Sequence, residues 1–88
     1  MATFRYRVTG RVQGVGYRYF TLQAAQALGV AGFARNLADG SVEVVAEGDA
    51  EILAAFEAKL KEGPSFSSVS DVERSPLEPR GDSGFHIR

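Results

Sequence analysis

The chain of 88 residues contains no cysteine, which removes a disulfide framework, a thiolate nucleophile and any cysteine-based metal centre. It contains one histidine, His86, which alone cannot build a zinc site. Ten Lys and Arg against eleven Asp and Glu leave a net charge of −1, so no basic excess points to a nucleic-acid or membrane partner. Met1-Ala2-Thr3-Phe4-Arg5 has no apolar h-region, and no apolar run approaches membrane-spanning length. A cytoplasmic location is the expectation. A hydrophobic share of 44% and a charged share of 24% are those of an ordinary soluble globule. At this length one domain, residues 1–88, buries roughly 60–65% of its unfolded surface. A monomer is expected.

Two well-known phosphate loops are also missing. A dinucleotide fingerprint needs a third glycine three residues after Gly16, where Tyr19 stands; a Walker A loop needs Gly-Lys followed by Ser or Thr, and no such triplet occurs. What is present is Gly10-Arg11-Val12-Gln13-Gly14-Val15-Gly16-Tyr17-Arg18, between a strand-like and a helix-like segment. A glycine-bearing loop that opens a helix aims several backbone N–H groups at one spot, where the helix dipole adds positive potential. An arginine at its end adds a planar guanidinium fork suited to an oxyanion. The glycine spacing by itself is equally compatible with a strand–loop–helix turn whose glycines serve only backbone geometry.

Periodicity supplies the frame. Phe4, Tyr6 and Val8 alternate with Arg5, Arg7 and Thr9, a half-buried strand. Phe20, Ala24, Ala27 and Leu28 share one helical face, stopped by Gly29. Val30–Asn36 reads as a second strand, Asn36–Gly40 as a turn built on Asp39-Gly40, and Ser41–Glu47 as a third strand with Val42, Val44 and Ala46 on one face. Asp49 is an N-cap candidate for a second helix with the stripe Ile52, Leu53, Phe56 and Leu60, stopped at Gly63-Pro64. Val69–Glu73 is a short strand, 74–84 a connection, and Phe85–Arg88 a last short strand. The order βαββαβ plus a short C-terminal strand predicts an α+β, ferredoxin-like sandwich, with two helices on one face of a mainly antiparallel sheet. In that topology the loop at 10–18 and the turn beginning at Asn36 lie at one end of the sheet.

The side chains offered there are Arg18 and Asn36, with Gln13, Tyr17 and Arg35 as further candidates. No carboxylate pair, Ser–His arrangement or metal-ligand cluster accompanies them. Such a set can clamp a phosphoryl group, stabilise the charge developing on it and orient a water for in-line attack. That suffices only where the leaving group departs unprotonated, as a carboxylate does and an alkoxide does not. A carboxylic–phosphoric mixed anhydride fits this set.

The chain resembles the acylphosphatase family. The stretch Gly10–Arg18 is similar to the family's phosphate-loop motif, which usually has Phe where Tyr17 stands. Gly32-Phe33-Ala34-Arg35-Asn36-Leu37-Ala38-Asp39-Gly40-Ser41-Val42-Glu43 resembles its second motif. The similarity extends to Gly63-Pro64 and to Phe85-His86-Ile87-Arg88. The resemblance implies the ferredoxin-like fold and hydrolysis of acyl phosphates to a carboxylate and inorganic phosphate; the lack of Cys/His or carboxylate ligand clusters in the sequence leads to the expectation of no cofactor and no metal. It assigns phosphate binding to Arg18 and to the backbone N–H groups of Gly14, Val15, Gly16, Tyr17 and Arg18, and placement of the attacking water to Asn36. The family often has Trp-Val where this chain has Phe33-Ala34, and Thr where it has Leu37, so a hydroxyl that could hold Asn36 is absent.

Competing readings exist. Arg18 is also an ordinary exposed helix-start arginine, and Asn36 an ordinary turn residue. A module binding phosphate without turnover uses the same residues. RNA binding would want exposed aromatics and a basic face, where strand three offers Val and Ala. Arg80-Gly81-Asp82 matches an integrin tripeptide, a coincidence of three loop residues.

Overall fold

A computed structural model describes residues 1–88. The alternation in the first segment places Tyr6 and Val8 fully inside while Arg5 and Arg7 occupy the opposite face of the strand. The elements are β1 (Ala2–Arg11), α1 (Tyr17–Leu28), β2 (Ala31–Asn36), β3 (Val42–Gly48), α2 (Ala50–Glu62), β4 (Ser68–Pro76) and β5 (Phe85–Ile87). The sheet order is β4-β1-β3-β2-β5, the expected ferredoxin-like frame. β3 runs antiparallel to β1 and β2, β4 antiparallel to β1, and only β2–β5 is parallel. β1, β2 and β5 therefore end at one edge of the molecule, where α1 begins.

Both helices contribute to one core. Tyr6, Val8, Ala34, Val42, Val44 and Ala46 of the sheet pack with Leu53, Phe56 and Leu60 of α2 and with Tyr17 and Ala25 of α1. Phe56 stands edge-on to Tyr6 and to Phe85, with ring centroids 6.2 and 6.1 Å away, so β5 is fastened to α2 through an aromatic pair. No helix is long and apolar enough to cross a membrane.

The structure differs from the sequence expectation in three places. The buried column of α1 is Tyr17–Thr21–Ala25, with Phe20 half-buried and Ala27 exposed. Tyr17 fixes this rotation: its ring is buried and its hydroxyl donates to the Leu60 carbonyl of α2 at 2.7 Å. Thr21 follows it inside because its hydroxyl donates to the Tyr17 carbonyl at 2.9 Å, so burial leaves it satisfied. β4 runs from Ser68 to Pro76 rather than 69–73, pairing with β1 as far as Phe4↔Pro76. It is an edge strand exposed along most of its length, so hydrophobic alternation does not mark it. Asp49 occupies the N-cap of α2 in an extended conformation, yet its side chain makes no capping bond.

Two buried tyrosines test this packing in opposite directions. The Tyr6 hydroxyl is buried without a partner, and burial first, then Glu57, push its phenol up to about 12. Tyr6→Phe removes an unsatisfied group and is expected to leave stability unchanged or raised, whereas Tyr17→Phe breaks a made bond and should cost about 1 kcal/mol. Urea midpoints at constant m-value check both; a Tyr6→Phe loss as large as that of Tyr17→Phe would contradict the hydrogen-bond assignment.

Candidate active site

Val12 is buried and Val15 packs against the core, so alternate side chains pin the loop between β1 and α1 inward. Gly14 and Gly16, on either side of Val15, take φ of 75° and 77°, a region an L side chain enters only with strain. A Cβ at either position would meet nothing within 4 Å, so backbone conformation rather than crowding calls for glycine, and the space before the loop is open. None of the fold's loop hydrogen bonds is donated by the N–H of Gly14, Val15 or Gly16. The first bond of α1 runs from the Phe20 N–H to the Gly16 carbonyl at 3.0 Å. The N–H groups of Tyr17, Arg18 and Tyr19 consequently lack an intrahelical acceptor. The N-cap is Gly16, which offers no side-chain oxygen, and the first turn carries no acid. Unpaired donors and the positive end of the helix dipole thus face the same opening.

That opening is a cavity of about 190 Å³, lined by Gly14, Gly16, Tyr17 and Arg18, by Asn36 at the end of β2 and by Ile87 of β5. Segments separated by eighteen residues or more in sequence meet there because their strands end at the same edge. Val15 lies between the two lining glycines but is itself not part of the wall. Nη1 of Arg18 donates to the main-chain oxygen of Arg88 at 2.8 Å, which ties the fork to the end of β5. Arg88 is itself anchored: its N–H donates to the Ala34 carbonyl at 2.9 Å and its guanidinium lies 3.9 Å over the Phe33 ring.

Asn36 is exposed on the cavity wall, and the turn after it is heavily braced. The Leu37 N–H donates to the Ser41 carbonyl at 2.9 Å. Asp39 accepts from the Ser41 N–H and hydroxyl and from Arg7. Nε2 of Gln13 donates to the carbonyls of Leu37 at 2.8 Å and Ser41 at 2.9 Å.

Of the further candidates, Gln13 therefore grips the turn, and the Tyr17 side chain belongs to the core. Arg35 turns to the helix-free face of the sheet, where it and Arg5 both hydrogen-bond Glu43. Burial raises the Glu43 carboxyl, but the two guanidiniums outweigh it and hold the group below its ordinary value. Sequence reasoning missed Ile87 and Tyr19 as lining residues. Nothing in their type marks them; only the parallel β2–β5 pairing, Ala34↔Ile87, carries Ile87 to this edge. No group of three or more His, Cys, Asp or Glu is placed to hold a metal ion.

Fold and cavity together define a small α+β protein with unpaired main-chain donors, Arg18 and Asn36 gathered at one end of its sheet. The acylphosphatase family model matches residues 4–87, and the chain belongs to the acylphosphatase family. It is 52% identical over 80 residues to the acylphosphatase of Thermus thermophilus, covering 91% of each chain. It is 48% identical over 83 residues to that of Methanothrix thermoacetophila, covering 94% of this chain and 92% of the relative. The crystal structure of acylphosphatase from Bacillus subtilis matches with a TM-score of 0.97 at 39% identity, over 100% of this chain and 99% of that one. Hydrolysis of acyl phosphates is accordingly its general activity.

The brace at Asp39 yields a pH test. The Ser41 hydroxyl first, then Arg7 and the Ser41 N–H, hold the Asp39 carboxyl well below the usual carboxylate range. The folded state thus binds this proton more weakly than the unfolded chain. The stabilisation is complete above about pH 5, where an unfolded carboxylate is ionised, and fades as pH falls through about 4 toward the lower folded value. Asp39→Asn should be less stable than the parent at pH 7, with the gap closing on acidification. A gap that stays constant from pH 7 to pH 2 would assign the brace to something other than the carboxylate's charge.

Proposed function

We propose that this cavity hydrolyses its acyl phosphate by direct attack of water on phosphorus, with no metal and no covalent intermediate. The main-chain N–H groups of Gly14 through Arg18 hold the phosphoryl oxygens, and the Arg18 guanidinium takes up the charge that grows on them. The Asn36 carboxamide orients a water in line with the scissile bond. The water oxygen bonds to phosphorus as the bond from phosphorus to the acyl oxygen breaks. The carboxylate leaves with the electron pair, and the water's proton passes to the phosphate product or to solvent. Tyr19 and Ile87, 59% and 40% exposed, give the acyl group an apolar surface beside the cradle. The enzyme acts as a monomer of one domain in the cytoplasm, without a cofactor, nucleic-acid or membrane partner. The observation that carries this reading is the meeting of unpaired loop donors, Arg18 and Asn36 at one cavity that no carboxylate or histidine lines.

Arg18→Ala should lower kcat/KM for benzoyl phosphate by on the order of 10²–10³, the usual cost of losing a preorganised charge stabiliser. Arg18→Lys should not restore it, because an ammonium cannot reproduce a planar fork. Asn36→Ala should lower kcat and leave competitive inhibition by inorganic phosphate nearly unchanged. Near-normal turnover in Arg18→Ala, or lost phosphate binding with intact kcat in Asn36→Ala, would overturn the roles.

The absence of a carboxylate or histidine from the cavity wall predicts a broad, flat rate profile across mildly acidic to neutral pH, measured in EDTA. Alkyl phosphate monoesters should be poor substrates, since their leaving group needs a proton. A steep bell centred near neutrality, or dependence on added Mg²⁺, would place a general acid–base pair or a metal in the mechanism.

A further inference from the structure

We infer that Gln13 is the positioning residue that sets Asn36 against the phosphate cradle. Gln13 stands between Val12, which is buried in the core, and Gly14, which lines the cavity. Its carboxamide nitrogen donates both hydrogens across the site, to the carbonyls of Leu37 at 2.8 Å and Ser41 at 2.9 Å. Those two residues close the mouth of the β2–β3 turn through the Leu37 N–H to Ser41 carbonyl bond, and Asn36 is the residue directly before Leu37. The remaining braces of the turn, the Gly40 N–H to the Leu37 carbonyl at 3.2 Å, Ser41 to Asp39 and Arg7 to Asp39, tie it to itself and to β1. No other side-chain hydrogen bond joins residues 12–18 to residues 36–41. Strand pairing Asn36↔Val42 holds the Asn36 backbone, and because Leu37 has no polar side chain, the side-chain grip on the residue that follows Asn36 comes from across the site. Both partners are carbonyls that already accept one N–H of the turn, so the contact across the site needs a donor, and a carboxylate of the same shape would present acceptors to acceptors.

The inference rests on Asn36 orienting water, and a double-mutant cycle separates the two claims. Gln13→Met keeps length and volume but removes both donors; Gln13→Asn keeps the amide but withdraws it by one methylene. Benzoyl phosphate kinetics, inhibition by inorganic phosphate and thermal unfolding are measured for each, alone and with Asn36→Ala. Whichever variant folds should lose kcat by on the order of 10- to 10²-fold, as misplacement by an ångström does. Its inhibition constant for phosphate should shift by less than about twofold, because the cradle keeps its own donors. In the Asn36→Ala background the same substitution should change kcat little, since the group it positions is gone. Gln13→Glu should be impaired like Gln13→Met despite its shape. Full additivity with a clearly impaired Asn36→Ala overturns the coupling while leaving the Asn36 role intact. A phosphate inhibition constant that worsens in step with kcat places Gln13 in the cradle instead. An Asn36→Ala enzyme with normal kcat removes the water-orienting role and the inference with it.

Discussion

The main-chain N–H groups from Gly14 to Tyr19 have no acceptor within the protein, and the rest of the structure is arranged around that condition. A buried donor left without a partner is costly, so such a row persists only where water or a ligand can reach it. The fold keeps it accessible by burying what lies to either side. Val12, Val15 and Tyr17 sink into the core, and the glycines between them turn the backbone outward through left-handed conformations. A capping side chain at the N-cap, or an acid in the first turn, would give these donors a partner within the protein; this helix has neither.

The same constraint explains why so much of the molecule converges on one edge. Arg18 stands in the first turn of α1 beside these donors, whereas the amide of Asn36 and the oxygen that holds the Arg18 fork arrive from other strands. β2 delivers Asn36 because it runs parallel to β1 on the far side of β3, and β5 delivers an oxygen for Arg18 because it runs parallel to β2. The aromatic contact of Phe85 with Phe56 joins that last strand to α2, so the hydrophobic core reaches the arginine through two steps. The charges on the helix-free face are consumed by one another, Arg5 and Arg35 by Glu43 and Arg7 by Asp39, which leaves Arg18 as the guanidinium on the cavity wall.

Much of this is written in local pattern. Alternation at Phe4–Thr9, the stripe Ile52–Leu53–Phe56–Leu60 and the turn at Asp39-Gly40 each report burial or backbone geometry that neighbouring residues alone decide, and all three appear in the structure. Gly14 and Gly16 announce positive φ because few other residues sit there without strain. The face of α1 was not legible, since a phenol reaching an α2 carbonyl and a threonine satisfied by its own helix override hydrophobicity as a guide to what turns inward. The length of β4 was hidden because an exposed edge strand needs no apolar face.

The sequence by itself determined the elements, their order and the glycines of the loop before α1, because periodicity and turn chemistry act over a few residues. Tertiary structure alone decided which side chains share the cavity. Arg35 and Asn36 are adjacent in sequence, yet strand alternation and a salt bridge to Glu43 send one to the open face while the other lines the cavity. Ile87 enters the wall, and Gln13 bridges it, through pairings that span 24 residues or more and that no local signal encodes. Contacts of that range depend on where a whole strand ends, and a strand's end point is fixed only when the sheet has closed around its core.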